Sequence, residues 1–476
     1  MRARAQRAVG EVRPVVAPAS GARGTRTRRR LLPLATGALG LGAALGAGAP
    51  AGGGQTGPAA SRAPVTVEYW TFWNDERLAF VRPELPKLEA QTGYVRATLT
   101  PDATLRDKLR TVLAAGTPPD ASIADVFSAA LYFDNGSILD LKPALTRDRV
   151  NLRRDWVLTG YEDWCGKNFV FPLTGWSYAI AYNKDLFRKA GLPDPWAQKN
   201  GRWTWDDLTE FATRLTTGKD ADGMPEVFGF LVDGHSVYRG YHPFIVANGG
   251  EVFDYGAMRY TLDHPKTVEA LEWLAEQHKR RVFRPAAYKQ PFEGDAFNQG
   301  KLGLVGDPNY RSRPGVMKDL AFEWDLIMYP SRTAGAPQFG NAGGDHNWVL
   351  KGGKNPDAAY ELIKFMGMDE VQGALGRERP VQPAKQSVRH DKDGFLKSPP
   401  AHMPVFNDIW DNGYYRAPFI FQYNDLETQR KIDELVVPAV ADGAGSVRDA
   451  CIEANRQANQ LVKYGERCFK PPWKPR

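Results

Sequence analysis

The side chains best placed for chemistry in this sequence are aromatic rings and short polar groups that sit just past predicted strands. The chain holds 13 Trp and 18 Tyr. Ring faces stack on C–H surfaces, while carboxylates and amides take up the hydroxyls at the edge of such a surface. Trp73 and Asn74 follow the first predicted strand as a stacking platform with a hydrogen-bonding neighbour. Asp307, Asn309 and Tyr310 follow a strand ending at Val305. Asp345 and His346 follow Gly343-Gly344, a turn where the backbone can approach a ligand closely. Each has a plainer reading: Trp73 as a core residue beside a turn Asn74, Asp307 as a helix cap, and His346 as a structural histidine.

Other chemistries lack their residues. There is no Cys-x-x-Cys and no His-x-x-x-His, so no metal site is expected. No Gly-x-Gly-x-x-Gly follows the first strand and no phosphate-binding Gly-x-x-x-x-Gly-Lys-Ser/Thr occurs, so neither a dinucleotide cofactor nor ATP hydrolysis is expected. Glycoside cleavage needs two carboxylates flanking one bond, and sequence spacing pairs none of those present. A secreted glycan-active hydrolase is therefore the alternative reading, with no catalytic residue assigned. Of the three cysteines, Cys451 and Cys468 would close a short C-terminal loop, which leaves Cys165 free and buried.

The elements that must position these groups read as α/β. Strands are predicted at Val65–Trp73, Tyr94–Thr100 and Ala121–Val126, with helices at Glu76–Ala90 and Leu105–Ala115 between them. Pro83 and Pro86 make the start of the first helix irregular. This β-α-β-α-β order argues a parallel sheet covered by helices. Further strands are expected at Phe169–Pro172, Tyr178–Tyr182, Val227–Val232, Lys301–Val305, Trp324–Tyr329 and Asn347–Leu350. Thr204 with Asp207 three residues on marks a helix start, reaching about Leu215. A helix from Pro265 to Arg281 buries Val268, Leu271 and Leu274. The end is helical: Pro356–Met366, Asp425–Val436 and Val447–Val462.

Charge excludes one class of partner. Residues 1–30 hold nine of the 62 basic residues and one of the 55 acidic ones, so the rest carries 53 against 54. A near-neutral body does not point to nucleic acid. After Arg30 comes an uncharged stretch to Ser61, apolar and Gly-rich at first, with Ala-x-Ala triplets at Ala47–Ala51. Basic, apolar, then small is the order of an export signal, expected over 1–51 with a linker at 52–64. Thr27-Arg28-Arg29-Arg30-Leu31-Leu32 is similar to a twin-arginine signal, which also raises a redox protein as a weaker rival. Pro33 and the glycines count against a membrane span. No cysteine adjoins the apolar run, so no lipid anchor is expected.

Four collinear stretches are similar to one known family. They are Val67-Glu68-Tyr69-Trp70-Thr71-Phe72-Trp73 with Glu89-Ala90-Gln91-Thr92-Gly93; Pro119-Asp120-Ala121-Ser122-Ile123-Ala124-Asp125 with Asn135-Gly136-Ser137-Ile138-Leu139-Asp140-Leu141; Ala181-Tyr182-Asn183-Lys184-Asp185-Leu186-Phe187 with Trp203-Thr204-Trp205-Asp206-Asp207-Leu208; and Gly343-Gly344-Asp345-His346-Asn347-Trp348-Val349-Leu350 with Asn355-Pro356-Asp357-Ala358-Ala359-Tyr360. In this order, across roughly residues 65–385, the chain resembles the extracellular solute-binding proteins of ABC importers, in the carbohydrate-binding group related to maltose-binding proteins.

The resemblance implies a two-lobe, type II-like periplasmic binding protein fold, with a hinge between the lobes and a helical C-terminal part. Lobe 1 would take 62–172 with a return near 310–360, and lobe 2 would take 180–300 with much of 361–476. It implies a sugar or oligosaccharide held in the cleft, delivery to membrane permease subunits, an exported location and no catalysis. A monomer is expected. It adds Asp125 at the end of the third strand, with capping of a helix near Ser128 as the rival role. It also adds Trp176 and Tyr178 at the entry to the second lobe, with core packing as theirs. Arg379 and Tyr415 are added by position alone.

Overall fold

The computed structural model describes residues 63–124, 126–158, 162–232, 235–286, 293–307, 320–379, 381–411, 415–416 and 422–465. The expected export signal, Asp125, Asn309, Tyr310 and Cys468 lie outside the described residues.

The described strands are β1 (Val65–Thr71), β2 (Val95–Pro101), β3 (Ala121–Ile123), β4 (Phe171–Pro172), β5 (Trp176–Ser177), β6 (Ala179–Asn183) and β7 (Phe228–Val232). They continue with β8 (Phe253–Asp254), β9 (Arg259–Tyr260), β10 (Leu302–Asp307), β11 (Trp324–Ile327), β12 (Gly340–Gly343), β13 (His346–Val349) and β14 (Tyr415–Arg416). A first sheet has the order β2-β1-β3-β13-β4 and a second the order β11-β6-β10-β7.

In the first sheet β1 runs parallel to β2 from Val65↔Val95 to Thr71↔Pro101, and parallel to β3 at Tyr69↔Ala121. The alternation that signals β1 buries Val67 and Tyr69 on one face. The crossover helix Leu105–Ala115 buries Leu105 and Leu109 and ends where Gly116 turns left-handed. β13 then enters antiparallel to both β3 and β4. Helix Pro356–Gly367 covers this sheet through Leu362, Ile363 and Met366.

The second sheet is mixed: β10 is parallel to β7 and antiparallel to β6, and β11 is antiparallel to β6. Helix Trp205–Leu215 opens with the capping box read from Thr204 and Asp207, and buries Trp205, Leu208, Phe211, Ala212 and Leu215. It lies so close on β7 that a Cβ at Gly229 would stand 2.0 Å from the Ala212 carbonyl oxygen. Glycine is required there by the packing.

A short third sheet, β14-β12-β5, sits where the chain passes between the larger two. β4 leads through β5 into β6, and β11 leads through β12 into β13. The carboxyl ends of β7, β10 and β11 and the amino end of β6 share one edge, since Asp307 pairs with Ala179 and Ile327 with Ile180. Open α/β sheets hold ligands at such edges.

The cysteine expectation is overturned. Cys451 is the free, buried thiol, and Cys165 is disulfide-bonded. Cys451 sits on the inner face of helix Val447–Leu461 beside buried Ala454 and Ala458, and burial pushes its thiol up to about 12. Nearness in sequence is a poor guide to pairing when a helix aims the side chain into a core. Among the described residues, no helix is long and apolar enough to cross a membrane.

Candidate functional site

The connecting segments build a strip of rings and polar groups. β1 carries the chain to Trp73, which is buried at 1 % exposure and donates its indole N–H to Asp345 Oδ2 at 3.2 Å. Asp345 arrives between β12 and β13. Its backbone N–H donates to Thr174 Oγ1 at 2.9 Å, and its carbonyl accepts from Leu173 and Thr174. The half-buried Asp345 carboxylate acts on its surroundings. Burial first, and that charge second, hold the Tyr69 phenol well above its ordinary value.

Two residues beyond Thr174, Trp176 stacks on Tyr178 with ring centroids 4.8 Å apart and planes 25° apart. The Trp176 ring lies across Gly343, where a Cβ would stand 2.3 Å from Cζ2. Trp176 is half-buried and Tyr178 buried, with the Tyr178 backbone N–H on the Asn341 carbonyl at 2.9 Å. His346 is also buried and pairs through Nε2 with Glu162 Oε1 at 2.8 Å. Its carbonyl accepts from Ala124, the residue before Asp125.

The end of β1 and the segments around β5 and β12 thus form a strip of short links, Trp73 with Asp345, Asp345 with Thr174, and Trp176 with Tyr178 and Gly343, while His346 follows Asp345 in the chain and pairs with Glu162. Asn74 is exposed and caps helix Asp75–Leu78, accepting from the Arg77 N–H at 3.3 Å. Asp307 ends β10 in the second sheet, and its side chain lies outside the description. Tyr415 enters by backbone pairing with Gly340. Arg379 does not join the strip. It ends helix Asp369–Glu378 in the left-handed region, φ 53°, and donates to the carbonyls of Lys397 and Pro399.

Beside the strip, starting at Phe72, lies a groove of about 620 Å³. Its first wall is Phe72 with Ala103 to Asp107 and Arg110, past the ends of β1 and β2. Its second is Tyr423, Asn424 and the Glu427, Arg430, Lys431 and Glu434 face of helix Asp425–Ala441. Donors and acceptors are mixed there, with two cations and one carboxylate on the first wall and two of each on the second. Arg106 rests on the Phe127 ring at 4.6 Å, and the Arg110 guanidinium reaches Ser128 Oγ at 3.1 Å. The strip's Glu162 and Thr174, and the groove's Arg106 and Tyr423, had no expectation attached. Phe72 beside Trp73, and Tyr423-Asn424 before a helix start, were the available signals. Among the described residues, no group of three or more His, Cys, Asp or Glu is placed to hold a metal ion.

Two α/β sheets joined by short crossing strands, with a polar groove and rings at the junction, define a two-lobe binding protein. The same fold occurs in an ABC substrate-binding protein of Listeria monocytogenes in complex with cycloalternan, at TM-score 0.71 and 20% identity, covering 83% of this chain and 98% of that one. A maltose-bound MalE3 of T. maritima matches at TM-score 0.67 and 20% identity, over 83% and 100% of the two chains. A solute-binding protein of Agrobacterium radiobacter in complex with ribitol matches at TM-score 0.67 and 22% identity, over 84% and 99%. Among curated relatives, the sn-glycerol-3-phosphate-binding periplasmic protein UgpB of Escherichia coli is 25% identical over 322 residues, 63% of this chain and 68% of the relative. The model of the bacterial extracellular solute-binding protein family matches residues 89–373, more than half of the chain, and the protein belongs to that family.

Proposed function

We propose that this protein is the exported solute-binding component of an ABC importer, holding a carbohydrate or related polyhydroxylated solute between its two lobes and passing it unchanged to membrane permease subunits. The observation that carries this reading is the strip itself. A half-buried Trp176 is braced by Tyr178 and lies on Gly343, two residues along the chain from Thr174, whose hydroxyl accepts from the Asp345 N–H, and the half-buried Asp345 carboxylate accepts from Trp73. An indole face suits the C–H side of a sugar ring, and a charged acceptor suits its vicinal hydroxyls. The mixed charge of the neighbouring groove keeps a phosphorylated polyol within the class, as does the relative that binds one.

Closure around the solute is a hinge motion in which the bound state favours the closed population. Thr174 holds the Asp345 backbone and Trp73 one carboxylate oxygen, which leaves the other oxygen as the acceptor this reading assigns to a solute hydroxyl. Catalysis is not part of this reading, because the relatives are transport proteins.

The test is titration calorimetry with maltotriose, D-tagatose, ribitol and sn-glycerol-3-phosphate as probes. At least one binds the unaltered protein, and Trp176→Ala weakens that probe by about tenfold or more, roughly 1.4 kcal/mol, while the variant still melts cooperatively. Equal affinity in the variant removes Trp176 from the site. Release of monosaccharide from maltotriose replaces transport with hydrolysis.

A further inference from the structure

Residues Val237–Tyr241 form a single π-helical turn that runs into helix His242–Ala247. Such a turn is wider than an α-helical one, and buried carbonyls within it need donors from elsewhere. Asn341 of β12 supplies them. Wholly buried, it donates through Nδ2 to the Tyr238 carbonyl at 3.0 Å and the Arg239 carbonyl at 2.9 Å, and its Oδ1 accepts from His242 Nδ1 at 2.6 Å. Helix Asp425–Ala441 holds the start of the turn, where Asp433 accepts from Ser236 Oγ at 2.8 Å and from the Val237 N–H at 2.9 Å. The turn is thus fixed both to the crossing strand β12 and to the helix that walls the groove.

Alternation along β12 sets this turn beside the indole. Asn341 and Gly343 are two apart, so their side-chain directions share one face of the strand, separated by a rise of about 7 Å. From Asn341 that direction leads to the turn. From Gly343 it leads to the Trp176 ring, which a Cβ would meet at 2.3 Å. Within the turn Val237, Tyr238, Gly240 and Tyr241 are buried, and Arg239 alone is exposed. Among the described residues its guanidinium has no ion pair or hydrogen bond. The carboxylate that feels its charge is Asp433, whose two oxygens already accept from Ser236 and Val237.

We propose that Arg239 is a specificity-determining residue of the solute site, taking an anionic group, phosphate or carboxylate, on a sugar or polyol that lies against Trp176. A guanidinium presents a planar fork of donors that matches the paired oxygens of either group. Asn341 and Asp433 fix the backbone that carries it, so less ordering is left for the moment of binding. The Asp345 carboxylate, two residues past Gly343, repels an anion and suits hydroxyls. A solute charged at one end and hydroxylated at the other is therefore read in one orientation.

The inference rests on the proposed transport reading, and matched pairs of probes separate the two. Titration calorimetry compares D-glucose 6-phosphate and D-glucuronate with D-glucose, and sn-glycerol-3-phosphate with glycerol, on the full chain and on Arg239→Gln. An anionic member binds the unaltered protein about tenfold or more tightly than its neutral counterpart. Arg239→Gln removes that difference and leaves neutral affinity within about twofold. The tighter of D-glucose 6-phosphate and D-glucuronate names the group. Because Arg239 is exposed, the variant melts at the same temperature without solute. Neutral probes that bind with no gain for the anionic ones overturn the Arg239 assignment and leave the transport reading standing. Equal weakening of neutral and anionic probes in the variant overturns it too. Failure of every probe, these and the earlier panel, to bind the unaltered protein removes both.

Discussion

At Asp433 the burial of a carboxylate outweighs the bonds that favour its charge. Val237 N–H and Ser236 Oγ donate to it at 2.9 and 2.8 Å, yet desolvation pushes its pKa up to about 6 from 3.8. Between those values the folded protein holds a proton that the unfolded chain has released. The resulting stability is fully present below about pH 4 and is lost as pH rises through about 6. Asp433→Asn, neutral throughout, gains on the unaltered protein as pH rises, by about 3 kcal/mol between pH 4 and pH 7.5. Urea unfolding of both proteins at the two pH values measures that gain, and a gain independent of pH contradicts the assignment. Other single-residue roles divide by how local their cause is. Asn74 as a cap and Trp73 at a strand end follow from neighbours in sequence. The Asp345–Trp73 and Asp134–Tyr423 bonds join residues hundreds of positions apart, and no spacing rule contains them. The cysteines failed for the same reason, since Cys451 points into a core that its helix face selects.

Among the elements, those carrying their own local signals were legible. The Thr204 capping box and the apolar face of helix Trp205–Leu215 are both written in a short window. β12 is not, because Gly-Asn-Ala-Gly has none of the branched or aromatic residues of a strand. It is a strand because β5 and β14 flank it and Trp176 needs a bare backbone at Gly343. Its neighbours are also held by buried side chains in place of a full ladder. Gln382 brackets Ser177 with three bonds, and Gln372 joins the Leu173 and Met366 carbonyls to the Ala384 and Lys385 N–H groups. Arg389, wholly buried, gathers the carbonyls of Gly175, Pro383 and Phe406, and burial pulls its guanidinium down to about 9. Arg389→Met leaves three buried carbonyls without that donor, at a cost of about 3 kcal/mol or more. Chemical denaturation that shows a loss below about 1 kcal/mol means the crossing segments are satisfied without it.

For the whole molecule, the order of weak motifs along the chain carried the family, while the route of the chain between sheets stayed illegible. β11 at Trp324–Ile327 looks like any other strand, yet it edges the second sheet, and β13 alone returns to the first near that point. Which sheet a strand joins depends on neighbours brought from afar. The groove wall from helix Asp425–Ala441 was missed similarly, because its polar face reads as an ordinary solvated surface until Phe72 and Arg106 are set opposite. The most direct measurement is diffraction from crystals grown with the panel compound of highest affinity. The account predicts density for that compound between the lobes, with a ring face on Trp176 and a hydroxyl on the Asp345 carboxylate. Density for it elsewhere on the protein, with the lobe junction occupied by solvent alone, contradicts the account.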